Sequence, residues 1–597
     1  MSGRIKKMLK YQREVCAVVI ESSGSWMEKV ESWKMWTTKS ILTGFHQLPL
    51  FRISAVGFRT TTLTRWQNFE NERHFEPGDD VLKRMWYALK YDVKRWKRRW
   101  KEAKMDPYQR NNPIAHIKRQ TMDLELFPFE TQVLIIGGGL IGSSVAYWLK
   151  QTFRDEDYKV VVVENNDKAM LFKLSFSKLF AQCASMLTCG GISQQFSVPE
   201  HVTMSAFAAE YLRHAGEHLR ILDNDPPDVH FLPMGFMYLA RTPEEVDRLK
   251  RNWKVQTRNG ARIDLLNRDQ LRARFPFINF DDVLLGSYGL ENEGTIDSWQ
   301  LLSAMREKNL TLGVQYLKGE VEGMYNKYFY TCIFIYIYIY FFHFAFLGFY
   351  FGRKHGATQI HGVEDDADEA VWRNMHIYGA YVRPQMTDAS ARIIRSSQIV
   401  VAAGAWSGPI AEMAGIGKGR DLLAVKLPVV ARKRMMFVVH VPDVPALDMP
   451  ALVDPSGVYC LMEEVGNTFI CGKIPSNEED EKIDHSNLEV DYDYFYYNIW
   501  PILVKRIPAF KNLKIKSAWA GYEDVNIFDN SPVIGEHLLY QNLHFLCGFG
   551  NRGMQHALAV GRSYAEKLLE GAYLSLNLRK FDMRRLVKME KLEEEYG

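Results

Sequence analysis

Between Thr131 and Glu164 the chain runs TQVLIIGGG, then LIGSSVAYWLKQ, then YKVVVVE after a short polar break. An apolar run, a helical pattern and a second apolar run ending in an acid read as strand, helix, strand. Gly137, Gly139 and Gly142 spell GxGxxG across the first junction. Glycines at that spacing permit the tight turn, the approach of backbone to a pyrophosphate and the close packing of helix on strand. The phosphates then meet the helix N-terminus, whose unpaired N–H groups and dipole favour anions. Glu164 stands 22 positions after Gly142 at the end of Val160 to Val163. A carboxylate there accepts hydrogen bonds from ribose hydroxyls and repels a 2′-phosphate, which disfavours NADP. The motif alone leaves FAD and NAD open.

Two later segments choose FAD. Ser396 to Gly415, SSQIVVAAGAWSGPIAEMAG, is an apolar strand entering a small-residue turn and a helix, the pattern of a strand returning to the nucleotide-binding sheet. Leu543 to Gly571 repeats strand, Gly-rich turn and helix, with Gly548, Gly550 and Gly553 as a second GxGxxG. No apolar strand ending in an acid follows it, so a second dinucleotide unit lacks half its parts. Its helix N-terminus suits the pyrimidine end of a flavin, where a positive dipole favours the anionic reduced ring.

Apolar β-branched and aromatic runs at Met435–Val441, Gly457–Leu461 and Thr468–Gly472 read as strands of a substrate-side sheet, with helices over 201–222 and 265–275 around it. The expected class is α/β: an FAD-binding Rossmann-type domain with a second, substrate-side domain on a mixed, largely antiparallel sheet. The segments are 129–200, 301–425 and 541–597 for the first, the last with a C-terminal tail, and 201–300 and 426–540 for the second.

The seven cysteines of this 597-residue chain include no CxxC pair and no Cys/His cluster at zinc spacing, so neither a disulfide framework nor a metal site is expected. Residues 1–130 hold 25 Lys+Arg against 15 Asp+Glu, and the remainder 50 against 56. The basic excess is therefore N-terminal and does not make the body a nucleic-acid surface. No acid lies between Glu31 and Glu70, where basic, Ser/Thr and apolar residues alternate as in a mitochondrial presequence. Segment 1–79 reads as targeting or disordered sequence, with Met35 a candidate start. Segment 80–128 is a basic amphipathic helix and linker, with Trp86, Trp96 and Trp100 on its apolar stripe. Adsorption to an anionic membrane and packing against a protein surface are both open to such a helix.

The strings GGGLIGSSVAYWLK, GGISQQFSVPEHV, GLENEGTIDSW, VAAGAWS, LPVVARKRMMFVVH, SAWAGYED and FGNRGMQ occur in this order. On them the chain resembles the D-amino-acid/sarcosine oxidase family, and within it the mitochondrial members that serve assembly of respiratory complex I. The resemblance implies non-covalent FAD, a place on the matrix side of the inner membrane and complex I subunits or assembly intermediates as partners. It places FAD on Gly137, Gly139, Leu140, Ile141, Gly142 and Glu164, and on Ser185, Gly190 and Gly191. It adds Val321, Ala403, Gly404, Trp406, Gly550, Gly553, Met554 and Gln555. Where the family clamps a substrate carboxylate with Arg and Lys, this chain has Ser193 or Gln194, and Gln555, a neutral pair. Tyr522 stands where sarcosine oxidases attach flavin through Cys, Arg552 replaces a turn histidine, and Leu558 replaces a frequent proline. No catalytic residue is assigned, and oxidation of an N-methyl amino acid or other small amine stands as the alternative function.

Lys433 and Arg434 either lie over the flavin or begin an ion-paired strand edge. His440, His544 and His556 read as core or surface histidines. Residues 328–351 contain no Asp, Glu, Lys or Arg and are long enough to span a membrane. A single crossing would put Gly139 and Gly553 on opposite sides. The Ile-Tyr alternation at 335–340 is what an AT dinucleotide repeat encodes, so intron-derived sequence is the first reading, ahead of a membrane hairpin or a buried strand pair. Leu171–Gln182 is a second interruption of the same kind.

Overall fold

A computed structural model of the chain describes residues 127–155, 157–165, 183–221, 225–325, 376–384, 391–464, 466–592 and 594. Segment 1–79, nearly all of 80–128 and the stretches 171–182 and 328–351 lie outside the described residues, with the expectations attached to them.

Strand β1 (Glu130–Ile136), helix α1 (Leu140–Thr152) and strand β2 (Val160–Glu164) form the unit read from the first motif. The chain continues through β3 (Gly191–Ile192), α2 (Pro199–Arg213), β4 (Leu232–Pro233), β5 (Phe236–Ala240), α3 (Pro243–Arg258), β6 (Ile263–Asn267), β7 (Leu285–Gly289), β8 (Gly294–Thr295) and α4 (Ser298–Thr311). Then come β9 (Gln315–Tyr325), β10 (Gly379–Pro384), β11 (Arg392–Val401), β12 (Val429–His440), β13 (Ala451–Val453), β14 (Val458–Glu464) and β15 (Thr468–Lys473). After these come β16 (Lys514–Asn526), β17 (Val533–Glu536), β18 (Leu543–Cys547) and α5 (Gly553–Glu570), followed by a tail with a short helix at Arg584–Lys588.

In the first sheet β18, β11, β1, β2 and β9 lie side by side and parallel. β17 is antiparallel to β18 at its edge, and β10 pairs antiparallel with both β9 and β11. A parallel sheet is covered on both faces, so its strands read as continuous apolar runs. Leu134 to Ile136 and Val160 to Val163 follow that rule, none more than 3 % exposed. Helices α1 and α5 cross in close contact: a Cβ on Gly561 would lie 2.1 Å from Ser144 Oγ and 2.8 Å from the Ser144 carbonyl carbon. The start of α1 is further tied down by polar contacts. Ser143 Oγ donates to Gly138 O at 3.0 Å, and Asn309 Nδ2 of α4 donates to Ser143 O at 2.8 Å.

The second sheet has the order β16-β12-β15-β14-β13-β5-β7-β6. All its pairings are antiparallel except β13 with β5. Its core gathers Phe437, Phe469, Phe495 and Phe510, all fully buried. The β12–β16 ladder reaches both cores, since Val429 packs with Phe545 and Cys547 of the first and Val439 with Phe469 of the second.

One boundary is corrected. Val533–Glu536, assigned above to the substrate segment 426–540, pairs with β18 in the first sheet. A four-residue apolar run carries no local signal of which sheet it will join, so the return to the first domain comes earlier than the composition suggests.

Candidate functional site

Three glycines of the first motif have different duties. Gly137 has φ +107°, and a Cβ there would lie 2.3 Å from Ala402 O; a Cβ on Gly142 would lie 2.0 Å from Gly137 O. Both are demanded by the chain's own packing. Gly139 has φ −65° and meets only Ser185 Oγ, at 3.1 Å, so its open side is a cradle that a side chain would fill. Leu140 N donates to that same Ser185 hydroxyl at 3.1 Å, and Gly138 N donates to Glu164 Oε2 at 2.7 Å. Helix α1 has no cap from its own first residue. An open turn, helix amides facing it and an acid at the neighbouring strand end fit the diphosphate and ribose of a dinucleotide.

The second Gly-rich loop is built over a buried acid. Gly548 and Gly550 have φ of +73° and +58°, and Gly548 N and Phe549 N both donate to Asp524 Oδ2, at 2.8 and 3.1 Å. A Cβ on Gly550 would find only Glu523 Oε1, at 4.0 Å, and one on Gly404 would find nothing within 4 Å. A Cβ on Gly553 would lie 4.0 Å from Ile141 Cδ1, so the two helix starts stand side by side. The two Gly-rich turns thus lead into neighbouring helix starts, an arrangement that suits a single shared cofactor.

The remaining expected residues distribute unevenly. Leu140 and Met554 are buried in one cluster. Gly190 is pinned by Ile296 O and Gly191 by the Phe236 ring. Ala403 precedes the Gly404 opening. Trp406, 38 % exposed, stands edge-on to Tyr522 with ring centroids 6.1 Å apart. Val321 pairs with Val382 inside the core of the first sheet.

Ser193 and Gln555, far apart in the chain, meet: Ser193 N donates to Gln555 Oε1 at 2.9 Å. Beneath them lies Glu293, which local pattern did not single out. It accepts from Gln194 N at 2.7 Å, Phe236 N at 2.9 Å, Gln195 Nε2 at 3.1 Å and Ser193 Oγ at 3.2 Å. Burial pushes its carboxyl up to about 7 against the opposing pull of those donors. Among the described residues its hydrogen-bond partners are all neutral.

Arg434 takes the ion-paired reading. Its guanidinium bonds Glu523 at 2.7 Å and Asp480 at 2.5 Å, while Lys433 Nζ donates to Asn487 Oδ1 at 3.2 Å. Tyr522 turns its hydroxyl to His485 O at 3.0 Å. His544 is a core histidine held by Tyr564 and Gln398 at 2.8 and 2.7 Å. No group of three or more potential metal ligands occurs among the described residues, and none of the helices described is long and apolar enough to cross a membrane.

Asp524 gives a pH test. Burial raises its carboxyl to about 7, above the ~3.9 of an unfolded aspartate. The native state then holds the proton more tightly, so this group's contribution to stability is complete below the unfolded value and lost as pH rises through about 7. Asp524→Asn keeps an oxygen for both amides without the charge. Its stability relative to wild type should climb across that window and then level off. Asp524→Leu should lie about 2–4 kcal/mol below Asp524→Asn at every pH, because two buried amides lose their acceptor. Urea midpoints from acid to mildly alkaline pH check both; parallel curves for wild type and Asp524→Asn would refute the assignment.

The comparisons agree with this geometry. The model of the FAD dependent oxidoreductase (DAO) family matches residues 132–567. FAD-dependent oxidoreductase domain-containing protein 1 of Xenopus laevis is 40 % identical over 474 residues, covering 79 % of this chain and 85 % of that one. Among solved structures, L-proline dehydrogenase from P. horikoshii superposes with TM-score 0.57 at 20 % identity, over 78 % of this chain and 100 % of that one. Glycine oxidase from Geobacillus kaustophilus does so with TM-score 0.54 at 16 % identity, over 76 % and 98 %. With its two Gly-rich turns at neighbouring helix starts, this chain belongs to the FAD dependent oxidoreductase (DAO) family and binds FAD.

Proposed function

We propose that this flavoprotein holds its FAD non-covalently and serves the assembly or stability of respiratory complex I, on the matrix side of the mitochondrial inner membrane. The observation that carries the departure from ordinary amino-acid oxidation is that Ser193, Gln194 and Gln555, at the expected clamp positions, are all uncharged. A substrate carboxylate is recognised best by charge-assisted, bidentate donors. Here the residues at the expected clamp positions are neutral: Ser193 meets Gln555 only through its main-chain amide and turns its hydroxyl to Glu293. FAD, when bound, supplies a hydride acceptor. The chain supplies the open turn at Gly139, the start of helix α5 at Gly553, a carboxylate at Glu164, and Asp524 to hold the second loop.

The acid-free N-terminal stretch supports import, and the resemblance of the motif strings supports complex I intermediates as partners. Cells lacking the protein should lose assembled complex I on native gels and regain it with the wild-type chain. Unchanged complex I in those cells would refute the reading. Contact of segment 80–104 with the membrane has its own test: Trp96→Ala and Trp100→Ala, with four basic residues changed to Gln, should release the chain from cardiolipin vesicles. Binding indifferent to both the substitutions and salt would remove the membrane from the account.

A second reading, oxidation of an N-methyl amino acid or small amine, is favoured by the solved relatives named for proline and glycine. Anaerobic addition of a panel of N-methyl and D-amino acids to the flavin-loaded protein separates the two. Bleaching by any of them establishes the enzyme; an unbleached panel supports the assembly role.

A further inference from the structure

The last described residues fold back onto the second Gly-rich loop from two sides. On one side Arg585, buried, donates to both oxygens of Asp529 at 3.0 and 3.1 Å and to Ser531 O and Pro532 O at 3.0 and 3.1 Å. Leu592 N adds a bond to Asp529 Oδ2 at 3.0 Å, and Ser531 Oγ donates to Leu592 O. The segment so held begins at Asn526, whose Nδ2 donates to Asp529 Oδ1 at 2.8 Å and Ser531 O at 2.6 Å. Asn526 forms the wall against Gly548, where a Cβ would meet its own at 3.1 Å. Arg552, immediately before α5, donates to Asn530 O of the same segment.

On the other side Glu594 enters the interior, its side chain 1 % exposed. Oε1 accepts from Ser197 N and from Ser197 Oγ, the latter at 2.8 Å, and Oε2 pairs with His201 Nδ1 at 2.7 Å. The His201 ring stacks on Phe581 of the tail at 5.2 Å and lies 4.9 Å from the ring of His556, the residue after Gln555 on α5. Burying a carboxylate is costly unless its oxygens are bonded, and here both are. Glu594 is therefore a built member of the interior, although it comes from a charged terminal stretch.

We propose that the C-terminal tail, through Phe581, Arg585, Leu592 and Glu594, is part of the cofactor-holding machinery. It clamps the turn Gly548–Gly553 between segment 526–532 and the start of α2, and so fixes the N-terminus of α5 where FAD meets it. The inference rests on the assignment of that turn to FAD. Glu594 and Arg585 touch no cofactor and are positioning residues: loss of the clamp loosens the turn while the two sheets stay folded.

The test uses the full chain as wild type, Glu594→Gln, Glu594→Ala and Ser197→Ala, each stripped of flavin and titrated with FAD, with the melting temperature of each apoprotein measured alongside. Gln keeps an oxygen for Ser197 and an N–H for the His201 ring, so it should bind within about threefold of wild type, while Ala should bind at least about tenfold more weakly with a shifted visible flavin spectrum. Ser197→Ala removes one donor and should fall between them, which keeps the proposal open to refutation if Glu594→Ala does not fold. Wild-type affinity and spectrum in Glu594→Ala, or in Ser197→Ala where that is the variant that folds, overturns the clamp. So does a lowered melting temperature with unchanged FAD affinity. A wild-type chain that takes up no FAD at all overturns the cofactor assignment instead.

Discussion

Gly139→Val yields a folded, colourless protein. At φ −65° a valine is unstrained, and its Cβ would meet only Ser185 Oγ at 3.1 Å, the end of a side chain that can rotate away. The apoprotein should therefore keep its circular dichroism and melt near the wild-type temperature. The added methyls occupy the space beside the Leu140 amide that the diphosphate needs, so FAD affinity should fall at least about a hundredfold. Gly142→Val is the contrasting control: its Cβ would stand 2.0 Å from the Gly137 carbonyl oxygen, backbone that cannot rotate away, and this variant should not fold. A Gly139→Val protein that stays yellow would show that the phosphates bind elsewhere.

Gly561→Ala unfolds the same site from behind. Here the obstacle is Ser144 on α1, with Oγ 2.1 Å, Cβ 2.6 Å and carbonyl carbon 2.8 Å from the new Cβ. Overpacking of this kind costs about 1–3 kcal/mol and more when backbone has to move, so about 3 kcal/mol is expected. Because α1 and α5 each carry a Gly-rich turn at their start, spreading them should also weaken FAD binding. Ser144→Gly removes the hydroxyl and Cβ but not the carbonyl carbon, and so should restore part of the loss in the double variant. A double-mutant cycle in urea measures that coupling. A single Gly561→Ala variant within about 0.5 kcal/mol of wild type would refute the close crossing.

Much of the first domain was legible because its signals are local. The switch from a strand pattern to a helical one, with glycines at the junction, defines β1, α1 and β2 without knowledge of the rest. The second half of β12, within Met435–Val441, was equally open to reading, but its first half and β16 were not, nor was the face that each side chain takes. Lys433 and Arg434 could be placed either way until Asp480, from a distant turn, closed on Arg434. Ser193 and Gln555 were named through resemblance, and only the fold brings them together. The buried acids escaped for a related reason. Glu293 lies inside LENEG and Asp524 follows Glu523, and a carboxylate in such a string looks solvated until four donors, or two loop amides, gather on it. Glu594 carried no local signal at all, since its partners Ser197 and His201 lie on the far side of the chain.

In the proposed reading one FAD is held, without a covalent bond, between the two Gly-rich turns. Acid precipitation of the purified full chain, with the released nucleotide identified and counted against protein, tests this most directly. The predicted result is one equivalent of FAD per chain in the supernatant and a colourless pellet. Flavin retained in the pellet, NAD in place of FAD, or a protein that carries no flavin would contradict it.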